Sequence, residues 1–521
     1  AFLNRDLRDA SGNTSLFREL WIQEVSNPNV AKTVTDGARL DQAVLNARIA
    51  RLSDKSEREV YAEPFDTGTR MYCALDMSSE RHQPLAYPVS HGTFVTATAL
   101  DRYEREGGAH ADLALFGVAL PTSVTQDTSG SSLGSYLLSA LRQTMLWADD
   151  MAHCGTAPPL VINFSYGFAA GPKDGTDALN RVIQKMIDGR NAAGRETVLV
   201  VPMGNSFYDR GVATITLDPG EERAFDWVLP PDDRTPSFLE ILSEATAGSE
   251  DFELVLTAPY GDAPVERVAL NGDLLGKARV LLKEDQMVGM ISEWPMEATH
   301  KGAGQRRAVI AMAPTRSDNA RGADAGRWGI RLVNTSKAPV TLHATVQRDD
   351  APGTYPVIGR QSYLAAADSY DTEGNLVLVD ATFTAGATLT HRRTNSIFAN
   401  NQSTHVLAIG AAMGESGAQE PYALFGPSPY ASAGPRWGLR LGPTRSALAD
   451  RSRAFPGIYR AGTYSGAHQA LSGSSVAAPQ MAGYLASHPE RIATITAADA
   501  SDKTSDAPAL PDLRRLRFTP W

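Results

Sequence analysis

Leu471-Ser-Gly-Ser-Ser-Val-Ala-Ala-Pro-Gln-Met-Ala-Gly483 is the stretch on which the reading of this chain turns. It predicts a tight turn that delivers Ser475 to the start of a helix. Gly473 permits a turn with close approach of another segment. Ser474 and Ser475 suit a helix start, and Val476, Ala477, Ala478, Met481 and Ala482 carry an apolar run onward. Pro479 is expected in the first turn, where its missing N–H costs little. A serine here faces the positive end of the helix dipole, which favours negative charge near its oxygen. A capped core helix explains most Gly-Ser-Ser triplets. The full pattern is much rarer.

Outward from this stretch, Pro88-Val-Ser-His-Gly-Thr-Phe-Val-Thr-Ala-Thr-Ala99 sets His91 at the head of another apolar helix. A lone histidine is usually structural, but here Gly92 would let a substrate pass close while the helix holds the imidazole. The other nine histidines, His153 and His343 among them, sit in no comparable setting and read as structural or surface groups.

Between His91 and residue 205 strands and helices alternate. Leu113–Leu120 is a nearly continuous apolar run, as expected of a strand buried on both faces. A helix over 134–152 lines up Leu137, Leu138, Leu141, Met145 and Ala148. Leu160–Phe164 and Thr197–Val201 read as further strands, with a helix from Ala178 to about Asp188. The alternation predicts an α/β fold with a parallel sheet, helices on both faces, and its site at the carboxyl ends of the strands. Two strand ends carry signals there: Asn163-Phe-Ser-Tyr-Gly167 and Pro202-Met-Gly-Asn205. Before His91, Leu20–Glu24 reads as a strand, and 36–58 as a helix capped by Asp36.

From 208 to 357 the pattern changes to short strands divided by Pro, Gly and Asp clusters. Ala213–Leu217, Phe252–Thr257, Val265–Val268, Arg307–Met312, Trp328–Val333 and Val340–Val346 predict an inserted β-sandwich. It carries no evident chemistry and is expected to serve packing, oligomer or partner contacts, with a lid or exosite over the cleft as the alternative. The α/β pattern resumes over 358–497 with the strand His405–Gly410, and 498–521 reads as a polar C-terminal extension.

Together these segments resemble the subtilisin-like serine proteases (subtilases) over nearly the whole chain apart from the β insert. Gly-Ser474-Ser475-x-Ala-x-Pro is similar to the family's Gly-Thr-Ser-x-Ala-x-Pro, with serine for threonine. His-Gly-Thr-Phe94-Val resembles His-Gly-Thr-His-Val. Asn163-Phe-Ser-Tyr-Gly167 and Met203-Gly-Asn205 resemble the substrate-channel and oxyanion segments, and Pro429–Pro435 resembles a Tyr-Ser-x-x-Gly-Pro turn. The resemblance implies peptide-bond hydrolysis through an acyl-enzyme on Ser475, with His91 as general base. It implies the Asn205 amide and the Ser475 N–H as oxyanion donors, and Ser165, Tyr166, Gly167 and Gly204 as substrate-binding positions. The partner would be a polypeptide substrate; calcium sites are common in the family, but the sequence shows no convincing acidic ligand cluster, and no metal or other cofactor is expected.

The family also needs an aspartate to orient the histidine. Asp36 fits a helix cap better, Asp66 comes after Glu63-Pro-Phe65, which does not read as a strand, and Asp76 lacks a glycine next in line. Ala1-Phe-Leu-Asn-Arg resembles the residues directly after the family's Asp-Asp-Gly-Ile, so the aspartate is expected just before Ala1. A catalytically impaired scaffold that binds peptides is the alternative function. An α/β-hydrolase esterase fails because Ala477 stands where its Gly-x-Ser-x-Gly elbow needs glycine.

Composition narrows the partners. The 521 residues are 42% apolar and 21% charged, which fits a folded protein with more than one core. A formal charge of −10 without a basic run argues against nucleic acid and anionic membrane. No apolar stretch approaches ~20 residues, so no membrane span is expected. The two cysteines, Cys73 and Cys154, cannot make a disulfide scaffold and lean towards a cytoplasmic location, with secretion as the alternative.

Overall fold

The structure is a computed structural model. It describes residues 2–23, 25–27, 32–34, 37–66, 71–73, 85, 89–121, 124–125, 133–152, 157–167, 171–207, 209–244, 251–294, 306–317, 321–349, 359–366, 396–414, 424–428, 430–432, 439, 442–452 and 455–496. Asp36, Asp76, His153, Cys154 and the 498–521 extension lie outside the described residues, as does most of the Pro429–Pro435 turn.

The strand Thr197–Pro202 shows how the core is built. Its six residues are all buried, and its neighbours pair with both edges in parallel. Val198 and Val200 meet Ala477, Ala478, Met481 and Leu485 of the helix Ser474–Ser487 on one face. Leu199 and Val201 meet Leu137, Leu141, Met145, Ile183 and Ile187 of the helices Leu133–Asp150 and Ala178–Ala192 on the other. Leucine and valine at both parities therefore satisfy a strand sandwiched between helix layers. Leu160–Asn163, Thr197–Pro202, Val406–Gly414 and Arg445–Asp450 run parallel in that order, and Leu424–Pro427 closes one side antiparallel.

A second, smaller sheet precedes it. Phe17–Ile22 pairs in parallel with Leu115–Ala119 and antiparallel with Ala38–Asp41. Here the structure corrects the sequence reading. Leu40 lies in a strand, and the next helix is Gln42–Ala50, capped by Asp41, whose carboxylate accepts the Val44 N–H at 2.9 Å. Pro64–Asp66 is likewise a short strand, paired with Met71–Cys73. Leu115–Ala119 is not buried on both faces as its composition predicts: four of its residues are only half-buried and Ala119 is exposed. The reason is pairing. Among the described residues nothing bonds to the edge of Leu115–Ala119 facing away from Phe17–Ile22, or to the edge of Leu160–Asn163 facing away from Thr197–Pro202. Phe116 and Ile162, one from each strand, pack on the same apolar cluster.

The helices His91–Arg105 and Ser474–Ser487 pack closely. A Cβ on Gly483 would stand 2.2 Å from the Ala99 carbonyl oxygen, so only glycine lets the two backbones meet there. At the other end, Phe94 and Val476 share a buried cluster with Leu448 and Ile458. The packing thereby fixes the heads of both helices relative to each other.

The described strands between Val212 and Ala365 form two antiparallel sheets. One orders Val212–Leu217, Val340–Val346, Ser237–Ser243, Arg307–Met312, Gln286–Trp294 and Ala278–Lys283; the other orders Pro264–Leu270, Phe252–Thr257, Gly326–Asn334, Glu222–Leu229 and Tyr363–Ala365. Both contribute to one apolar cluster around Trp227, Phe252, Ile241 and Ile330. The last strand lies beyond the expected end at 357. His343 is structural: it is buried, bonded to Thr214 at 3.1 Å and Glu244 at 3.0 Å. No helix of the described residues is long and apolar enough to cross a membrane.

Candidate active site

Ser475 is the second residue of its helix, after Gly473 and Ser474. Gly473 adopts φ 131°, a conformation that side-chain-bearing residues rarely take. A Cβ there would lie 3.0 Å from Asn205 Nδ2 and 3.3 Å from Ser475 Oγ. Glycine thus keeps open the space between the nucleophile candidate and the amide. Pro479 falls inside the helix rather than in its first turn, six residues in. It has no N–H to give the carbonyl four residues back, which is that of Ser475.

His91 opens its own helix, with Ser90 as the cap position. Its Nε2 lies 3.2 Å from Ser475 Oγ, across 384 residues of sequence. At that distance a neutral imidazole can take the hydroxyl proton as an acyl bond forms. The residue keeps exposed surface, while protein packed around its ring withdraws the imidazole from water. This desolvation, reinforced by the positive charge of Arg348, pushes its pKa down to about 4. Both effects favour the neutral, proton-accepting form. No carboxylate of the described residues hydrogen-bonds His91, and the side chains of Asp36, Asp66 and Asp76 lie outside the described set.

Asn205 comes after Gly204, beyond the carboxyl end of Thr197–Pro202. Its side-chain oxygen is held twice by Ser474, whose N–H donates at 2.8 Å and whose Oγ–H donates at 2.9 Å. The Gly204 N–H in turn donates to Ser474 Oγ at 3.0 Å. With Oδ1 occupied, Nδ2 is the end left to face the Gly473–Ser475 space. Such a preset donor is what a developing oxyanion requires. Gly204 has φ 131°, and its carbonyl accepts the Ser432 N–H at 3.1 Å. Ser432 Oγ accepts the Ser206 N–H at 2.8 Å.

The remaining predicted positions lie past the end of Leu160–Asn163. Ser165 Oγ accepts from Asn163 Nδ2 at 3.0 Å, and the Tyr166 ring tilts against Phe164. A Cβ on Gly167 would fall 2.2 Å from Ser396 Oγ, and the Ser396 N–H donates to the Met203 carbonyl. Ser396 thus links this segment to Gly204. The structure therefore joins His91 to Ser475 directly, Asn205 and Gly204 to the same helix start through Ser474, and Gly167 to Gly204 through Ser396. The sequence reading did not assign Ser474, Ser432 or Arg348 to the site. Ser474 was legible only as the residue in the motif's threonine position.

The geometry can be compared with known proteins. No protein-family model and no curated protein matches the chain. Among solved structures, the chain resembles the CspB protease of Clostridium perfringens, with a TM-score of 0.58 at 16% identity, over 96% of this chain and 81% of that one. A lipase of Bacillus licheniformis, BlEst2 in propeptide form, matches 27% of this chain and 22% of its own at 15% identity, with a TM-score of 0.16 too low to bear on the fold. The likeness to the CspB protease is one of fold. The mixed α/β architecture, with its parallel sheet and flanking helices, is consistent with a subtilase-like fold.

Proposed function

We propose that this protein is a serine endopeptidase of the subtilisin type. The observation that carries the reading is the meeting of His91 Nε2 and Ser475 Oγ at 3.2 Å, beside an Asn205 amide whose oxygen is already bonded. The fold likeness to a named protease supports it, as do the order and wording of the His91, Asn205 and Ser475 segments. In this reading Ser475 attacks the peptide carbonyl and passes its proton to His91. The carbonyl oxygen becomes an oxyanion held by Asn205 Nδ2 and the Ser475 N–H, and His91 then protonates the leaving amine. Water repeats the sequence to release the acyl group. Residues 208–357, with the strand at 363–365, are read as a β-sandwich inserted between the Asn205 and Ser475 halves.

The orienting carboxylate is proposed to come from sequence preceding Ala1, on a strand between Leu115–Ala119 and Leu160–Asn163. Two strand edges that are unpaired among the described residues and share one apolar cluster favour this over the in-chain candidates. So does the Asn163 side-chain oxygen, which is buried with no bonding partner at the end of one of those edges. A strand parallel to its neighbours would end on the side where Asn205 leaves its own strand, as an aspartate orienting His91 requires.

Fluorophosphonate labelling tests the main reading. The protein, with residues preceding Ala1 included, should be labelled at Ser475, and Ser475→Ala should abolish the adduct. Labelling that persists in Ser475→Ala, or none with the preceding residues present, overturns it. The second reading, a peptide-binding scaffold with impaired chemistry, is favoured by the absence of a His91–carboxylate bond among the described residues. Peptide binding without labelling would select it.

A further inference from the structure

We propose that Asp450 is a positioning residue of the candidate site, and that its buried carboxylate sets the Asn205 segment and the Ser475 turn relative to each other. The inference rests on the peptidase reading for what the positioned groups do, and it adds a residue that this reading does not use.

Asp450 ends the strand Arg445–Asp450 at the carboxyl edge of the parallel sheet, the edge where the site lies. It is 3% exposed. Its donors come from two separate stretches of chain. Ser428 Oγ–H and Tyr430 O–H both donate to Oδ2 at 2.5 Å, and the Gly457 N–H donates to Oδ1 at 2.6 Å. Each stretch runs directly into the site. The first is a turn closed by the Ala431 N–H on the Ser428 carbonyl at 2.8 Å, and it brackets Asn205. The Tyr430 carbonyl accepts the Phe207 N–H at 3.3 Å, Ser432 Oγ accepts the Ser206 N–H at 2.8 Å, and the Ser432 N–H donates to the Gly204 carbonyl at 3.1 Å. The second stretch serves the nucleophile. Gly457 has φ 82°, and a Cβ there would stand 2.9 Å from the Leu471 carbonyl oxygen, so its backbone lies against the residue two before Gly473. Ile458, paired with Leu471, packs with Val476 and with Phe94 of the His91 helix.

A carboxylate suits this task because its two oxygens offer about four acceptor positions, so one group can hold two stretches at once. Hydrogen bonds from O–H donors to a charged acceptor are short, about 2.5–2.7 Å, and roughly twice as strong as neutral ones. The Ser428 and Tyr430 contacts fall in that range. Burial, and then the bond to Asp450, pushes the Tyr430 phenol above its ordinary range, which keeps the hydroxyl a donor. Removing one donor leaves a buried carboxylate short of a partner, and the stretch that supplied it loses its anchor. An oxyanion needs Asn205 Nδ2 and the Ser475 N–H to converge on one point. A misplacement of about 1 Å can cost on the order of 10²-fold in rate. The relative placement of the two stretches is therefore what Asp450 controls.

Hydrogen exchange and labelling test the placement and its chemical effect separately. In the full chain, with the residues preceding Ala1 included, backbone exchange is followed by mass spectrometry over 203–207 and 471–477. Fluorophosphonate labelling gives the limiting rate and the reagent affinity at Ser475. Asp450→Asn should speed exchange in both segments and lower the limiting rate by about 10²-fold, with reagent affinity unchanged. Tyr430→Phe keeps the ring and should also speed exchange in both segments. It should cost about tenfold in rate alone and little in the Asp450→Asn background, because the two residues share one bond. Where Asp450→Asn does not fold, Tyr430→Phe carries the test by itself. Asn334→Ala, which removes buried hydrogen bonds inside the β unit, should lower the melting temperature without these effects. Faster exchange in one segment only, an unchanged labelling rate, additive losses in the double variant, or the same losses in Asn334→Ala overturns the assignment. Exchange that behaves as expected in a parent that is never labelled overturns the peptidase reading and leaves Asp450 as the residue joining the two segments.

Discussion

The two sides of the site are built to different degrees. On the nucleophile side, Asn205 Oδ1 is bonded twice by Ser474, Ser474 is bonded by Gly204, and the strand leading to them is paired along both edges. On the His91 side, that residue has a long hydrogen bond to Ser475, and among the described residues Leu115–Ala119 is paired along one edge. The difference teaches that an oxyanion donor and a general base make separate demands. The donor needs local hydrogen bonds, which a few neighbouring residues provide. The base needs an oriented ring, which depends on a group brought from elsewhere in the fold.

The strongest way to break the comparison is to complete the base side. In a chain carrying the residues before Ala1, replacing the expected aspartate with asparagine should lower kcat by about 10⁴-fold, as the loss of the orienting aspartate does in a chymotrypsin-type triad. An undiminished rate would mean that His91 is oriented by something else. Next in size is Gly473→Ala, which puts a Cβ into the space between Asn205 and Ser475. A loss of about 10²–10³-fold in kcat is expected, the cost of one oxyanion donor in a subtilisin. Acylation kinetics with a peptide ester would measure it.

A smaller change sharpens the nucleophile side. Ser474→Ala removes the Oγ–H bond to Asn205 and the acceptor of the Gly204 N–H, while leaving the backbone N–H bond to Asn205 in place. A drop of about tenfold in kcat with KM unchanged is expected, from the loss of the orientation that this hydroxyl gives Asn205. An equal loss in the Asn205→Gly background would show that Ser474 acts by another route.

The least change, a displacement rather than a loss, is in pH dependence. In the proposed mechanism His91 must be neutral to accept the Ser475 proton, and its pKa is pushed down to about 4 by desolvation and the charge of Arg348. Labelling by the chain beginning at Ala1, however slow, should therefore hold its rate through pH 6 and fall only as pH approaches about 4. A carboxylate beside the ring stabilises imidazolium and raises the pKa. With the preceding residues present, the half-point should move upward, and a profile that stays put would argue against an added negative charge at His91.

Much of the candidate site's geometry was legible in the sequence because its residues sit in short runs. His91, Asn205 and Ser475 each sit in a segment whose neighbours do the local work: a glycine for approach, an apolar run for the helix or strand behind it. Contacts formed at long range were not legible. Nothing near Ser474 announces that its hydroxyl bonds an amide 269 residues away. The β unit shows another limit. Glu222–Leu229 and Ala278–Lys283 carry exposed residues along much of their length, so their apolar alternation is weak and neither was expected as a strand. At Asp41 the failure was competition: Asp36 and Asp41 are both plausible caps, and pairing of Ala38–Asp41 with Phe17–Ile22 decides between them. Leu115–Ala119 was read from its own composition, while its burial depends on a neighbour.

Gly483 has a consequence for how this site can be altered. It lies eight residues after Ser475, about 12 Å along the helix at 1.5 Å per residue, and touches neither His91 nor Asn205. Yet the His91 and Ser475 helices meet backbone to backbone there, like tongs around a pivot. A single methyl group at the pivot would act as a wedge, and a small splay would be magnified at the tips where base and nucleophile must stay 3.2 Å apart. The spacing on which the proposed proton transfer would depend is thus governed in part by a residue eight positions away from Ser475.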